Sequence, residues 1–319
     1  MPKVSVIIPN YNHYKFIEQR ISTVLNQTFK DFDLLILDDC STDNSMKIIE
    51  SYKNYPKVKI LLNTTNSGNT FRQWAKGINN TEGEYIWIAE SDDYSEPTFL
   101  ESMVNLLNKH TEASIAFCGN KIVDENSVLL YEHRRKNLGN DIRIQTDTYL
   151  INGKLECKNN LITNNTIANV SSCVFRRSES HYIVNSLNYK LCGDWLFYIN
   201  IALKSNLIYL DKTLNFFRNS NSSVRNKGLK EGILFKEKLK IFLYLNHIFK
   251  FNKIFCKKYA KEISTTFLPH LFTPGVSFRI KDVIVILVNL HKVYSFAFLF
   301  LLHDLGHLLK KSKIAKLKI

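Results

Sequence analysis

Through the first 120 residues, short apolar runs alternate with segments whose apolar positions fall at helical spacing. VSVII (4–8) is β-branched and nearly all apolar, the pattern of a strand covered on both faces. Phe16, Ile17, Ile21, Val24 and Leu25 then mark one face of a helix over 15–26. DLLILD (33–38) reads as the next strand. Ser41 or Asp43 is a candidate cap for a helix to about Tyr52, with Met46, Ile48 and Ile49 inward. VKILLN (58–63) is a third strand, 70–80 a helix and YIWIA (85–89) a fourth strand. Pro97 suits the first turn of a helix running to about Asn108, and SIAFCG (114–119) follows as a fifth strand.

This alternation predicts an α/β fold, with parallel strands joined by right-handed crossovers and helices on both faces. Such sheets bind ligands beyond the carboxyl ends of their strands. Those ends read Pro9-Asn10-Tyr11-Asn12, Asp38-Asp39-Cys40-Ser41, Asn63 to Asn69, and Glu90-Ser91-Asp92-Asp93. The acids after the fourth strand therefore belong at the ligand edge and not in the core. Beyond residue 120 the pattern is less regular. VSSCVFR (170–176), LIYLD (207–211) and TLNFFR (213–218) are strand-like, and WLFYINIAL (195–203) is a helix candidate. From about residue 228 long basic amphipathic helices take over, so a domain boundary is expected near 226, dividing 1–226 from 227–319.

Charge sharpens that division. The formal net charge is +14, and residues 227–319 hold 18 Lys and Arg against 5 Asp and Glu, a net +13. The first part is nearly neutral, and the second calls for an anionic partner. None of the six cysteines forms a CxxC or a Cys/His zinc spacing, and the chain opens on a strand pattern, MPKVSVIIPNYN, rather than on a signal peptide. A reducing cytoplasmic setting with free buried thiols is the expectation.

Glu90-x-Asp92 places two carboxylates on one extended loop. Hard oxygen ligands of this kind suit Mg²⁺ or Mn²⁺, which in turn hold phosphate oxygens; a solvated acidic turn ahead of a helix gives the same spacing. The combination is more specific than the pair. PNYN after the first strand, LDDCSTD after the second and GEYIWIAESDD at the fourth, in this order, resemble the family 2 glycosyltransferases of the GT-A fold over about residues 1–225. WIAESDD resembles a recurrent subgroup form in which Glu replaces the first Asp.

The resemblance implies a Rossmann-like, mostly parallel nucleotide-diphospho-sugar transferase sheet and a role for each matching residue. Pro9, Tyr11 and Asn12 line the base and ribose pocket. Asp39 bonds the nucleobase, with Asp38 beside it. Glu90 meets the ribose or a metal-bound water, and Asp92 ligates Mn²⁺ or Mg²⁺ on the diphosphate. Ser91 and Asp93 complete the donor loop. Arg72 reaches phosphate or donor sugar, or else is an exposed helix charge. CGDWLFYI (192–199) resembles the element that carries the family's base, which is Asp194 here, where a plain helix cap is the alternative. Trp195 suits either acceptor stacking or core packing. FFRNSNSSVR (216–225) resembles a segment that closes over the diphosphate, making Arg218 and Arg225 phosphate candidates, although Ser220 stands where the family has His.

The implied reaction is inverting transfer of a sugar, with a UDP-sugar first among donors, to a glycan or lipid-linked acceptor in bacterial surface-polysaccharide assembly. KEKLKIFLYLNHIFKFNKIFCKKYAKE (236–262) and the apolar 282–309 suggest helices lying on an anionic membrane surface at the inner face of the cell membrane. His291-Lys292 in the middle of the apolar stretch argues against a span. His303 and His307 lack a third metal ligand. A nucleotidyltransferase would more naturally carry a Gly-rich loop after the first strand, and a basic nucleic-acid binder an aromatic stacking platform. Neither feature is present, and no nucleic-acid partner is expected.

Overall fold

The structure is a computed structural model describing residues 1–136, 138, 141–219, 228, 231–273, 276 and 278–305. Two compact units are present: residues 1–161 with 165–220, and residues 162–164 with 221–319.

In the first unit the predicted alternation is seen. Strands β1 (Val4–Asn10), β2 (Phe32–Asp38), β3 (Val58–Leu62) and β4 (Tyr85–Ile88) alternate with helices α1 (Tyr14–Leu25), α2 (Ser45–Ser51) and α3 (Thr70–Asn79). A two-residue strand β5 (Tyr94–Ser95) precedes α4 (Phe99–Lys109), and β6 (Ala113–Val123) follows. Then come β7 (Leu129–His133), β8 (Ile142–Gln145), β9 (Thr148–Ile151), α5 (Gly153–Asn159), β10 (Cys173–Arg176), α6 (Gly193–Ala202) and β11 (Asn206–Arg218). The sheet order is β3-β2-β1-β4-β10-β6-β11-β9-β8, with β5 on β11 and β7 on β6.

The first four strands pair in parallel, as expected. The fifth predicted strand, β6, does not join β4 directly. β10 is inserted between them, antiparallel to both. Because β6 and β11 pair in parallel, β1 to β4, β6 and β11 all run one way and form the backbone of the sheet. Every residue of β1 and β4 is buried, which explains their unbroken apolar runs.

Several boundaries differ from the sequence-based expectation. α4 starts at Phe99 after Thr98, and the carbonyl of Pro97 accepts from the Thr28 amide instead of entering the helix. α2 follows Asn44; Asp43 accepts from the Ser45 amide while Ser41 is held in the Asp38 loop. The two strand-like runs 207–211 and 213–218 are one strand, β11, kinked by irregular register between Leu210 and Asn215. None of the six cysteines is in a disulfide, and Cys40 alone of them is only partly buried.

The second unit contains α7 (Ile233–Phe249), α8 (Lys253–Leu271) and α9 (Ile280–Val293). Lys250, with φ of 52°, divides the 236–262 stretch and separates α7 from α8. The apolar stretch is likewise divided, with α9 ending before Tyr294 and a further helix occupying 297–305. Among the described residues no helix is long and apolar enough to cross a membrane. His307 lies outside the described residues.

Candidate active site

The strand ends converge as the topology requires. Asn12 adopts the left-handed region, φ 57°, which an Asn tolerates. Its Oδ1 accepts from the amides of Thr42 (2.7 Å) and Asp43 (3.3 Å), and its own amide donates to Ser41 Oγ at 3.0 Å. Asn12 thus ties the β1 loop to the β2 loop. Pro9 is buried within β1, and Tyr11 at its end is exposed. Asp38 is an internal brace: it accepts from Asn10 Nδ2 (2.8 Å), the Ser41 amide (2.8 Å) and Ser41 Oγ (2.6 Å).

Asp39 is buried and accepts four hydrogen bonds, from Asn63 Nδ2 (2.6 Å), the Ser67 amide (2.8 Å), Ser67 Oγ (2.7 Å) and Gln73 Nε2 (2.9 Å). Asn63, Ser67 and Gln73 also line a cleft of about 380 Å³, together with Arg72 and Lys76. Arg72 is exposed there, with one long bond from Nη1 to the Ser67 carbonyl at 3.4 Å.

Beyond β4 the four residues of the acidic loop have different fates. Trp74 Nε1 donates to Glu90 Oε1 at 2.7 Å. Ser91 is buried, with Oγ 2.8 Å from His13 Nδ1. Asp93 is buried and accepts from Asn169 Nδ2 (2.8 Å) and the Arg218 amide (3.0 Å). The Asp92 carboxylate is partly exposed and has no hydrogen-bond or ion-pair partner among the described residues. Of the three carboxylates it alone has neither oxygen engaged among the described residues.

Two buried arginines brace this loop from behind. Arg20 is fully buried; its Nε donates to the Glu90 carbonyl at 2.8 Å, Nη2 lies 3.9 Å from Asp93 Oδ2, and neither Nη atom makes a hydrogen bond. Burial lowers its pKa to about 10, against the pull of Asp93, Asp92 and Glu90. Sequence reasoning missed Arg20, although a signal exists: it falls on the buried row Ile17, Arg20, Ile21, Val24 of α1. A guanidinium on a core row needs an acidic partner, and the acidic loop is that partner.

The phosphate contact expected of Arg218 does not hold. Its Nε donates to the Asp92 carbonyl (2.8 Å), Nη1 to the Asp124 (2.8 Å) and Glu125 (3.0 Å) carbonyls, and Nη2 to Gln19 Oε1 (2.9 Å). Ser127 Oγ takes both Nη atoms at 3.2 Å. With the guanidinium buried over Phe16 and its donors engaged, Arg218 holds the loop instead of meeting phosphate. Arg225 and Ser220 lie outside the described residues.

Asp194 sits in the first turn of α6, which starts at Gly193, so it is not the cap residue. The helix dipole favours its ionised form. Asn165 Nδ2 donates to its Oδ2 at 3.0 Å. Trp195 is buried with Nε1 on the Leu161 carbonyl at 2.9 Å, which decides for core packing over stacking.

Two connections bring Asp194 toward the acidic loop. The segment 165–172 reaches Asp194 through Asn165, Asp93 through Asn169, and the Glu90 amide through Ser171 Oγ at 3.0 Å. Gly193 packs so closely on Phe71 that a Cβ there would stand 2.5 Å from its ring. Phe71 is edge-on to Trp74 at 5.1 Å, and Trp74 holds Glu90. Buried Tyr198 feels both ends: after burial and Cys173, the charges of Asp194 and Glu90 raise its pKa well above the usual range.

Burial, then Asp92, pushes Glu90 up to about 8 and Asp93 up to about 6. A carboxyl raised in the folded state favours folding below its unfolded value, and that contribution is lost as pH rises through the folded value. Between pH 4.5 and 8 the protonated Glu90 is therefore progressively lost at a cost to stability. Glu90→Gln mimics the protonated form. In metal-free buffer it is expected to be neutral at pH 5 and to stabilise by about 2 kcal/mol at pH 8.5, allowing for relaxation. Thermal melts of both proteins across this range check it; parallel curves would show that Glu90 ionises freely.

No group of three or more His, Cys, Asp or Glu among the described residues forms a cage for a metal ion. One open carboxylate fits a different arrangement, in which a divalent cation takes a single protein ligand and completes its shell with substrate phosphates and water.

The site thus combines an open carboxylate at the ligand edge of an α/β sheet with a second acid at a helix start tied to the same frame. The family model described as glycosyl transferase family 2 matches residues 5–181, more than half of the chain, and the chain belongs to that family of enzymes. The chain is 33% identical over 112 residues to the poly(ribitol-phosphate) beta-N-acetylglucosaminyltransferase TarS of Staphylococcus aureus, covering 34% of this chain and 20% of that protein. It is 32% identical over 130 residues to the putative glycosyltransferase EpsE of Bacillus subtilis, covering 39% and 45%. To the GalNAc(5)-diNAcBac-PP-undecaprenol beta-1,3-glucosyltransferase of Campylobacter jejuni it is 26% identical over 152 residues, covering 47% and 48%. The chain thus spans between a fifth and about half of the length of these curated relatives. The crystal structure of S. aureus TarS 1–349 in complex with UDP-GlcNAc matches with a TM-score of 0.63 at 19% identity, covering 91% of this chain and 80% of that one. That likeness establishes the shared fold.

Proposed function

We propose that residues 1–226 transfer a sugar, with inversion, from a UDP-sugar to a hydroxyl of a glycan or lipid-linked acceptor in bacterial surface-polymer assembly. The observation that carries this reading is the free Asp92 carboxylate, held by its neighbours in the same frame as Asp194. The relatives named for poly(ribitol-phosphate) and undecaprenol-linked sugar transfer support the acceptor class. The UDP-GlcNAc in the TarS crystal supports the donor class.

In this reading the nucleoside enters the cleft beside Asp39, Arg72 on its lining meets the phosphates or the donor sugar, and Tyr11, exposed at the end of β1, serves the base and ribose. Glu90, fixed by Trp74, faces the ribose. Ser91 and Asp93 are internal and set the loop. Asp92 would hold Mn²⁺ or Mg²⁺, which would supply charge neutralisation for the departing nucleoside diphosphate. Asp194 accepts the proton of the acceptor hydroxyl as its oxygen bonds to the anomeric carbon. The bond from that carbon to the diphosphate oxygen breaks, and the nucleoside diphosphate leaves with the electron pair. One displacement of this kind inverts the anomeric centre.

Incubation with a panel of nucleotide-sugars and Mn²⁺ or Mg²⁺ tests the reading. Release of UDP from one UDP-sugar is expected. Formation of pyrophosphate from a nucleoside triphosphate and a sugar phosphate, without UDP release, would instead make the protein a nucleotidyltransferase.

A further inference from the structure

Among the described residues of the second unit, one apolar face is left exposed. Its inner packing is complete without that face: Phe242 stacks on Tyr259 at 3.9 Å, Phe235 meets Phe267 at 5.4 Å, and α9 turns Ile286, Leu290 and Val293 inward. On the outer side of α9, Ile280, Ile284, Leu287 and Val288 fall on one helical stripe, and all are exposed, Ile280 to 80%. The helix over 297–305 adds Phe298 and Leu302, one turn apart and exposed, Leu302 to 61%. A helix apolar on both its faces is partnered by something other than water.

Charge identifies the partner. Lys281 and Lys292 are exposed on the row adjoining the stripe, with Val285 on the same row at helical spacing. Lys310, Lys311, Lys313, Lys316 and Lys318 follow in the sequence. A symmetric contact with a second copy would bring together two bodies of net +13, so self-association through this face opposes its own charge. A spanning geometry is too short: the 14 residues of α9 extend about 21 Å, against roughly 30 Å of hydrocarbon.

We propose that α9 and the helix over 297–305 dock on an anionic phospholipid bilayer, lying in its interface with the apolar stripe in the acyl boundary and the lysines on headgroup phosphates. The docking is independent of the donor chemistry. If the sugar-transfer reading also holds, docking keeps the enzyme at the surface in which lipid-linked acceptors are carried.

Sedimentation of the full chain with vesicles tests this. Binding to mixed phosphatidylcholine–phosphatidylglycerol vesicles is expected, and much weaker binding to phosphatidylcholine alone. Ile284→Glu with Leu287→Glu is expected to weaken binding by roughly tenfold or more. Phe298→Ser with Leu302→Ser is a second pair should the first perturb the fold, which circular dichroism melts report. Lys281→Glu with Lys292→Glu should remove the preference for anionic vesicles and leave the neutral background. Absence of sedimentation with either vesicle overturns the proposal, as does unchanged binding by both apolar pairs. Self-association in ultracentrifugation that the apolar pairs abolish would assign the face to a second copy. UDP release without vesicles should be unaltered in every variant, so a failure here is distinct from a failure of the sugar-transfer reading.

Discussion

Asp92→Asn is expected to lower metal-dependent UDP release by about 10²- to 10³-fold, the usual loss when one preorganised group at a developing charge is removed. The melting temperature should move by no more than about 2 °C. The two expectations come from one feature. Glu90 is held by Trp74, and Asp93 by Asn169 and the Arg218 amide, while the Asp92 carboxylate bonds nothing among the described residues. Its backbone carbonyl stays on Arg218 Nε whatever the side chain is. The substitution removes a charge without removing a contact, so activity and stability separate. Initial rates at increasing Mn²⁺ and a calorimetric melt measure both. A marked fall in melting temperature would mean that the carboxylate has an internal structural role. Undiminished turnover would show that another group anchors the cation.

The same feature explains what was legible in the sequence. β1 to β4 and their intervening helices follow from apolar spacing, because periodicity reports which face of an element is buried. Spacing does not report which strand lies next to which. VSSCVFR reads as a strand, yet its place between β4 and β6 depends on pairing with residues more than 50 positions away. The site divides likewise. That the acids belong at the carboxyl ends follows from the alternation, but their division of labour does not. Asp92 is open and Asp93 closed because Asn169 and Arg218 arrive from distant segments. Arg218 lies in an exposed-looking polar stretch, and only the loops at Asp124 and Ser127 turn it inward. Arg20 left a local trace, a cation on an apolar row, and is readable in hindsight. The Asn-rich segment 159–169 looks like a loop, yet Asn165 and Asn169 connect Asp194 to the acidic loop.

Asp194→Asn is expected to reduce sugar transfer by about 10²- to 10⁴-fold, the range for loss of a general base, and to leave donor affinity unchanged. The separation is again geometric. Asp194 stands on α6, not on the β1, β2 and β3 ends that receive the nucleotide in the proposed reading, and is linked to the acidic loop through the 165–172 segment and the Gly193–Phe71 contact. Asparagine keeps an oxygen to accept from Asn165 Nδ2, so the frame that carries Asn169 to Asp93 and Ser171 to Glu90 persists. What it loses is the capacity to take a proton. Calorimetric titration with UDP in Mn²⁺ should therefore give the wild-type constant, while kcat for transfer falls and KM for donor does not. Loss of donor affinity with kcat preserved would assign Asp194 to binding; equal losses in both, with a lowered melting temperature, would make it a brace for α6 and leave the base to be found elsewhere on the acceptor side.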